Sequence, residues 1–214
     1  MAPRTLTVLL ASAFIASLVS LGAAWRLPGN NQGYEPAQPL AYSHRLHAGD
    51  MKIACVYCHS GAERSRFAGI PGTSICMNCH RQVTASRASV EQEQAAAKSE
   101  NRAVARVIAP ELKKLYDSLA LDEKLVPIKG QAARPMSWVR VHNLPEFVRF
   151  DHSAHVGSGV ACQTCHGPIE TMERVRQESP LSMGWCVNCH RDVNEHGVNG
   201  KEVYASMDCT TCHY

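Results

Sequence analysis

The chain has 214 residues, with 22 Lys and Arg against 19 Asp and Glu and a formal net charge of +3. That balance, without any basic run, excludes the electrostatic footprint of a nucleic-acid binder. Aromatic residues make up only 6% of the chain while cysteine reaches 10 and histidine 11, which excludes a core built mainly of aromatic side chains and leaves the cysteines and histidines to be explained.

The first element is apolar. "MAPRTLTVLLASAFIASLVSLGAAWRLPG" carries one early charge, Arg4, and then none from Thr5 to Trp25. As a helix this stretch spans ~31 Å, about one hydrocarbon core. Its length predicts a transmembrane signal anchor over 1–26. A cleaved secretory signal with Gly22-Ala23-Ala24 as its small-residue site is the alternative. Arg26 follows the run almost as closely as Arg4 precedes it, so the flanking charges give no clear orientation. Residues 27–40 hold Pro28, Pro36, Pro39 and two glycines and read as a linker.

All the cysteines fall in one pattern, repeated five times: CVYCH (55–59), CMNCH (76–80), CQTCH (162–166), CVNCH (186–190) and CTTCH (209–213). C-x-x-C-H is the attachment signature of a c-type haem. Two thiols form thioethers with the two vinyl groups of one porphyrin, and the next histidine is held beneath the iron. Zinc sites, thioredoxin-like pairs and disulfides also use CxxC, but none needs a histidine after every pair. Five such histidines arise by chance with a probability on the order of 10⁻⁶ or less. The chain is therefore expected to carry five covalently bound haem c groups. They attach through Cys55 and Cys58, Cys76 and Cys79, Cys162 and Cys165, Cys186 and Cys189, and Cys209 and Cys212, with His59, His80, His166, His190 and His213 as proximal iron ligands. Covalent attachment of this kind takes place outside the bacterial cytoplasmic membrane. The expected location is a single-pass anchor in that membrane, touching the lipid bilayer, with the haem region on the periplasmic side.

A repeat organises the rest. "YSHRLHAGDMKIACVYCHSG" matches "FDHSAHVGSGVACQTCHGP", and each copy is followed by a second attachment motif, "SICMNCHR" or "GWCVNCHR". This predicts a first dihaem module over 41–83, a second over 138–193, and a lone fifth site over 194–214. Residues 84–137 lack cysteine and form a haem-free helical insertion and linker. In it Val104, Val107, Ile108, Leu112, Leu115 and Leu119 recur at helical spacing, and Pro110 starts a new helix or kinks the existing one. The reading is one or two amphipathic helices on the surface or against a partner subunit. "PIKGQAARPMSWVRVHNLPEFVRF" contains four prolines and glycines and reads as extended, with no sizeable sheet. The fold class is mainly α with extensive irregular loops.

Six histidines lie outside the motifs: His44, His47, His142, His152, His155 and His196. Haem iron in an electron carrier is usually closed on both faces by His or Met, so these are the candidate distal ligands. In each His-x-x-His pair the two rings share a helix face and can serve two different irons. Met183, three residues before Cys186, is the alternative to a histidine at one site. Enough histidine to close every iron describes a wire rather than an enzyme, with no catalytic residue.

The aromatic-x-His-x-x-His…CxxCH arrangement resembles the cytochrome c3/c7 superfamily of multihaem cytochromes. That resemblance implies a fold of repeated c3/c7-like dihaem modules and pairs His44 with His59 and His152 with His166, while His47 and His155 serve other haems. "WVRVHNLPEFVRFDHSAHV", "MERVRQESPLSMGWCVNCHRD" and "DCTTCHY" further resemble the pentahaem cytochrome c subunit (ActA) of alternative complex III, over roughly 42–80 and 138–213. This implies a role in a quinol-oxidising respiratory or photosynthetic complex, without bond chemistry in this chain. Its partners would be an iron–sulfur subunit, an integral membrane quinol-binding subunit, a monohaem cytochrome subunit, and a periplasmic cytochrome c or blue-copper acceptor. A NapC/NrfH-type quinol dehydrogenase typically carries CxxCH-x-Met at its first site, which is absent here. The CxxCK site of multihaem nitrite reductases is absent too, and a soluble periplasmic carrier differs only in its address.

Overall fold

The computed structural model describes residues 30–214 together with Ser12, Phe14 and Ser17, which are helical. Helices are short and joined by long irregular segments, and the only β pairings among the described residues are isolated bridges. One expectation is corrected: no helix among the described residues is long and apolar enough to cross a membrane. The stretch that carried it, 1–26, lies outside the described residues apart from the three named above.

The α-helices are α1 (Cys55–Cys58), α2 (Thr73–His80), α3 (Arg87–Ser99), α4 (Pro110–Ser118), α5 (His152–Gly157), α6 (Cys162–His166), α7 (Met183–His196) and α8 (Cys209–Cys212). Every CxxC lies in one of them, which sets its two thiols three residues apart on one face. A π-helix covers Arg45–Asp50, with His44 as its N-cap. Side-chain oxygens open several helices: Ser86 accepts from the Ser89 amide at 3.1 Å, Asp151 from Ala154 at 3.3 Å and Ser182 from Trp185 at 3.3 Å. Each satisfies an amide that the first helical turn leaves free.

The cysteine-free segment differs from the periodicity. Val104, Val107 and Ile108 are not helical. Helix α3 ends where Asn101 takes a left-handed φ of 50°. The Arg102 amide then reaches the Ala97 carbonyl at 3.0 Å, the long bond of a Schellman stop. Glu93 pins the departing chain by accepting from the Arg102 guanidinium and, at 2.8 Å, from the Ala105 amide. Pro110 occupies the first turn of α4, where its missing N–H costs nothing.

Helix α4 packs inward. Leu115 and Tyr116 are almost fully buried against Met77 of α2, with Ile108, Leu112, Leu119, Leu121 and Leu125 around them. The insertion therefore forms the one sizeable apolar cluster that the described polypeptide builds for itself, and it sits on the second attachment motif. The proline-rich stretch after residue 30 is also tied down. Gln38 exchanges two hydrogen bonds of 2.9 Å with the backbone of Val139, and Asn31 donates to the Val141 carbonyl at 3.1 Å. Fully buried Gln177 accepts from the Asn143 amide at 3.0 Å and donates to the Ser179 carbonyl at 3.0 Å.

Candidate functional site

The repeat seen in the sequence is also a repeat in space. Tyr42 packs edge-on to His44 at 4.8 Å and nearly parallel to His47 at 4.4 Å. Phe150 stands in the same relation to His152 at 4.8 Å and His155 at 4.5 Å. In both copies the second histidine turns its Nδ1 back to the carbonyl four residues earlier: His47 to Ser43 at 2.9 Å and His155 to Asp151 at 2.8 Å. The aromatic ring thus wedges the two imidazoles apart and fixes their directions.

Opposite each of these four imidazoles lies a motif histidine. His44 faces His59 with ring centres 6.4 Å apart and planes 8° from parallel. His152 faces His166 at 6.4 Å and 10°. His47 faces His80 at 6.0 Å and 61°, and His155 faces His190 at 6.1 Å and 37°. Two imidazoles bound to opposite faces of one metal, each through a nitrogen ~2.0 Å away with its ring centre ~1.1 Å further, have centres ~6.2 Å apart. The residues therefore fit a group with a single metal between paired imidazoles. Among the described residues no three or more His, Cys, Asp or Glu side chains converge on one point, as a zinc cage would need.

The free nitrogens point the same way. His59 Nδ1 lies 2.7 Å from the Gly69 carbonyl, His80 Nδ1 2.8 Å from Val83, His190 Nδ1 2.7 Å from Ser206 and His152 Nδ1 2.8 Å from Arg66. An Nδ1–H donated to a carbonyl leaves Nε2 with its lone pair, the form that binds metal. Burial, then neighbouring histidines, pushes the His44 pKa down to about 4 and that of His166 to about 3, so both rings are neutral near pH 7. His44 Nδ1 is buried without a hydrogen-bond partner.

Two candidate ligands sit differently. His142 lies edge-on to His166 at 4.4 Å, and its Nε2 is 3.1 Å from His166 Nδ1. With His166 presenting Nε2 to a metal, its Nδ1–H donates to His142, which occupies the His142 Nε2. His196 ends α7, exposed, with Nδ1 3.1 Å from the Asp192 carbonyl. The fifth motif histidine, His213, stacks against Phe147 at 5.9 Å and bridges to Val148. Met183 is 67% exposed.

Some positioning groups escaped the sequence reading because they are backbone carbonyls. The loop Ser65–Gly69 supplies the oxygens for both His59 and His152. It is held close by Gly61, where a Cβ would stand 2.4 Å from the Phe67 carbonyl oxygen. Tyr116 donates its hydroxyl to the His80 carbonyl at 2.6 Å. The only traces in sequence are a glycine after an attachment motif and a tyrosine within an apolar periodicity.

Residues 148–214 match the family model of cytochrome c7 and related cytochromes c. The c7-like part thus runs from just before the second His-x-x-His pair through the last three attachment motifs. Most of the chain is also similar to the multihaem cytochrome c subunit of menaquinone reductase from Nitratidesulfovibrio vulgaris (strain Hildenborough). The two are 24% identical over 220 residues, which cover 94% of this chain and 88% of that protein. Both likenesses support an electron-transfer role through covalently bound haem c.

Proposed function

We propose that the chain is a pentahaem electron relay, passing electrons one at a time between a quinone-reactive complex and a periplasmic redox partner. The observation that carries this is the set of four imidazole pairs at metal-bridging distance, each joining one attachment-motif histidine to one histidine of a His-x-x-His pair. Haem iron supplies a one-electron couple when bound. The chain supplies ten thiols for attachment, His59, His80, His166, His190 and His213 as proximal ligands, and His44, His47, His152 and His155 as distal ligands. His142 positions His166 by accepting its Nδ1–H. The four irons closed by these pairs make no bonds to substrate, which supports a carrier rather than an enzyme. The haem region works on the periplasmic side, where covalent attachment takes place.

Two directions of flow are distinguished by different observations. The resemblance to the pentahaem subunit of alternative complex III has electrons leaving quinol, crossing iron–sulfur clusters and reaching a cytochrome or blue-copper acceptor. The relative from N. vulgaris belongs, by its name, to a menaquinone reductase, which favours the opposite flow. We take quinol oxidation as the reading, on the resemblance of the stretches 138–156, 172–192 and 208–214, and the direction is what the following test decides. The test is reduction of the purified complex, followed at the haem α-band, by a quinol and separately by a reduced periplasmic cytochrome. Fast reduction by quinol supports this direction, and reduction only by the cytochrome reverses it. Pyridine-haemochrome analysis should give five haems per chain, and fewer would overturn the pentahaem reading.

A further inference from the structure

The attachment sites are numbered in chain order, from site 1 at Cys55 to site 5 at Cys209. Resting on the relay reading, we infer that they stand in space in the order 2–1–3–4–5, one unbranched row whose ends are sites 2 and 5. The order differs from the order along the chain, and each of its four junctions is carried by separate contacts.

Sites 1 and 2 share one short element. His44 caps the π-helix Arg45–Asp50 and faces His59, while His47, one turn on, faces His80. Sites 3 and 4 share α5 in the same way, since His152 faces His166 and His155 faces His190. The two modules meet through sites 1 and 3. The Ser65–Gly69 loop gives one carbonyl to His59 and another to His152, and the amides of His152 and Ser153 donate to Arg66 and Ser65, each at 3.2 Å. Cys55 of site 1 and Cys162 of site 3 are close neighbours across this junction.

Site 5 joins the row at site 4. The Ser206 carbonyl accepts from His190, and Asn194 of α7 exchanges two hydrogen bonds with the Ala205 backbone, at 2.8 and 2.7 Å. Cys209 follows three residues after Ser206. The Arg149 amide donates to the Cys212 carbonyl at 2.8 Å, which lays the last motif beside the entry to α5. At the opposite end, α4 covers site 2 through Tyr116 and Leu115. Electrons that travel the row therefore enter or leave at sites 2 and 5, while sites 1, 3 and 4 are internal.

Iron positions located by anomalous scattering in crystals of the haem-loaded protein test the order. The four shortest iron–iron separations should be 2–1, 1–3, 3–4 and 4–5. Any other pair standing closer than one of these four, 3–5 included, overturns the row. A second measurement needs no crystal. Replacing His44→Met raises the potential of site 1, so that site 1 is reduced earlier. NMR of the haem methyl signals during a redox titration should show sites 2 and 3 responding and sites 4 and 5 unmoved. A response at site 4 or 5 without one at site 3 contradicts the order. Failure here is separable from failure of the relay. A different iron order with closed irons leaves the relay standing, and several open irons in the expected order remove the relay and leave the row.

Discussion

An imidazole serves iron through a nitrogen that keeps its lone pair, so the partner of the other nitrogen decides its use. Among the described residues, carbonyl oxygens take that role for His47, His59, His80, His152, His155 and His190. His166 instead has an imidazole, His142. Replacing His142→Leu leaves a buried donor unsatisfied, and its expected cost in denaturant unfolding is about 1–3 kcal/mol, with the four haems of the imidazole pairs kept low-spin and the fifth unchanged. Appearance of a high-spin haem in that variant would instead make His142 an iron ligand. Gly61 is the second residue-scale test. In Gly61→Ala the new Cβ meets the Phe67 carbonyl, which must shift. The loop behind both His59 and His152 moves with it, at about 1–3 kcal/mol of overpacking. Redox titration should show sites 1 and 3 perturbed together, and an unchanged titration curve would contradict the shared-loop role.

At the scale of elements, the attachment motifs and His-x-x-His pairs were legible because their chemistry is local: two thiols and an imidazole at fixed spacing. The partners of His47 and His155 were not, because pairing across space leaves no spacing in the chain. In the segment 84–137 two sequence signals conflict. Val104, Val107 and Ile108 fit a helical period, yet the helix stops at Asn101, a residue that tolerates left-handed backbone and closes α3 with a Schellman bond. The stop signal was present in Asn101, and the apolar period outweighed it. Burial of α4 against α2 was not legible either, since an amphipathic helix does not say what it covers. Its role is measurable. Tyr116→Phe leaves the His80 carbonyl without its hydroxyl donor, at about 1–3 kcal/mol. Leu115→Ala should cost about 2–5 kcal/mol. Both are checked by denaturant unfolding followed by NMR of the haem methyl signals, with the His47–His80 ligation of site 2 lost first; loss of ligation at another site before site 2 would contradict this placement.

For the whole molecule, the described polypeptide buries few large apolar side chains, chiefly Leu40, Met77, Leu115, Tyr116 and Met172. Short chains need more buried apolar area than this for a stable fold, and in the proposed pentahaem relay the porphyrins would provide it. The helices are then brackets that hold imidazoles at fixed separations, and the irregular segments between them are ordered by backbone hydrogen bonds. The central claim is that the four imidazole pairs close their irons on both faces, so that the chain carries electrons rather than binding substrate. Carbon monoxide titration of the fully reduced protein at neutral pH tests it most directly, because carbon monoxide takes only an iron with an exchangeable face. The four imidazole pairs predict at most one carbon monoxide bound per five haems, at the His213 site, with the Soret bands of the others unchanged. Uptake of two or more per chain would contradict the account.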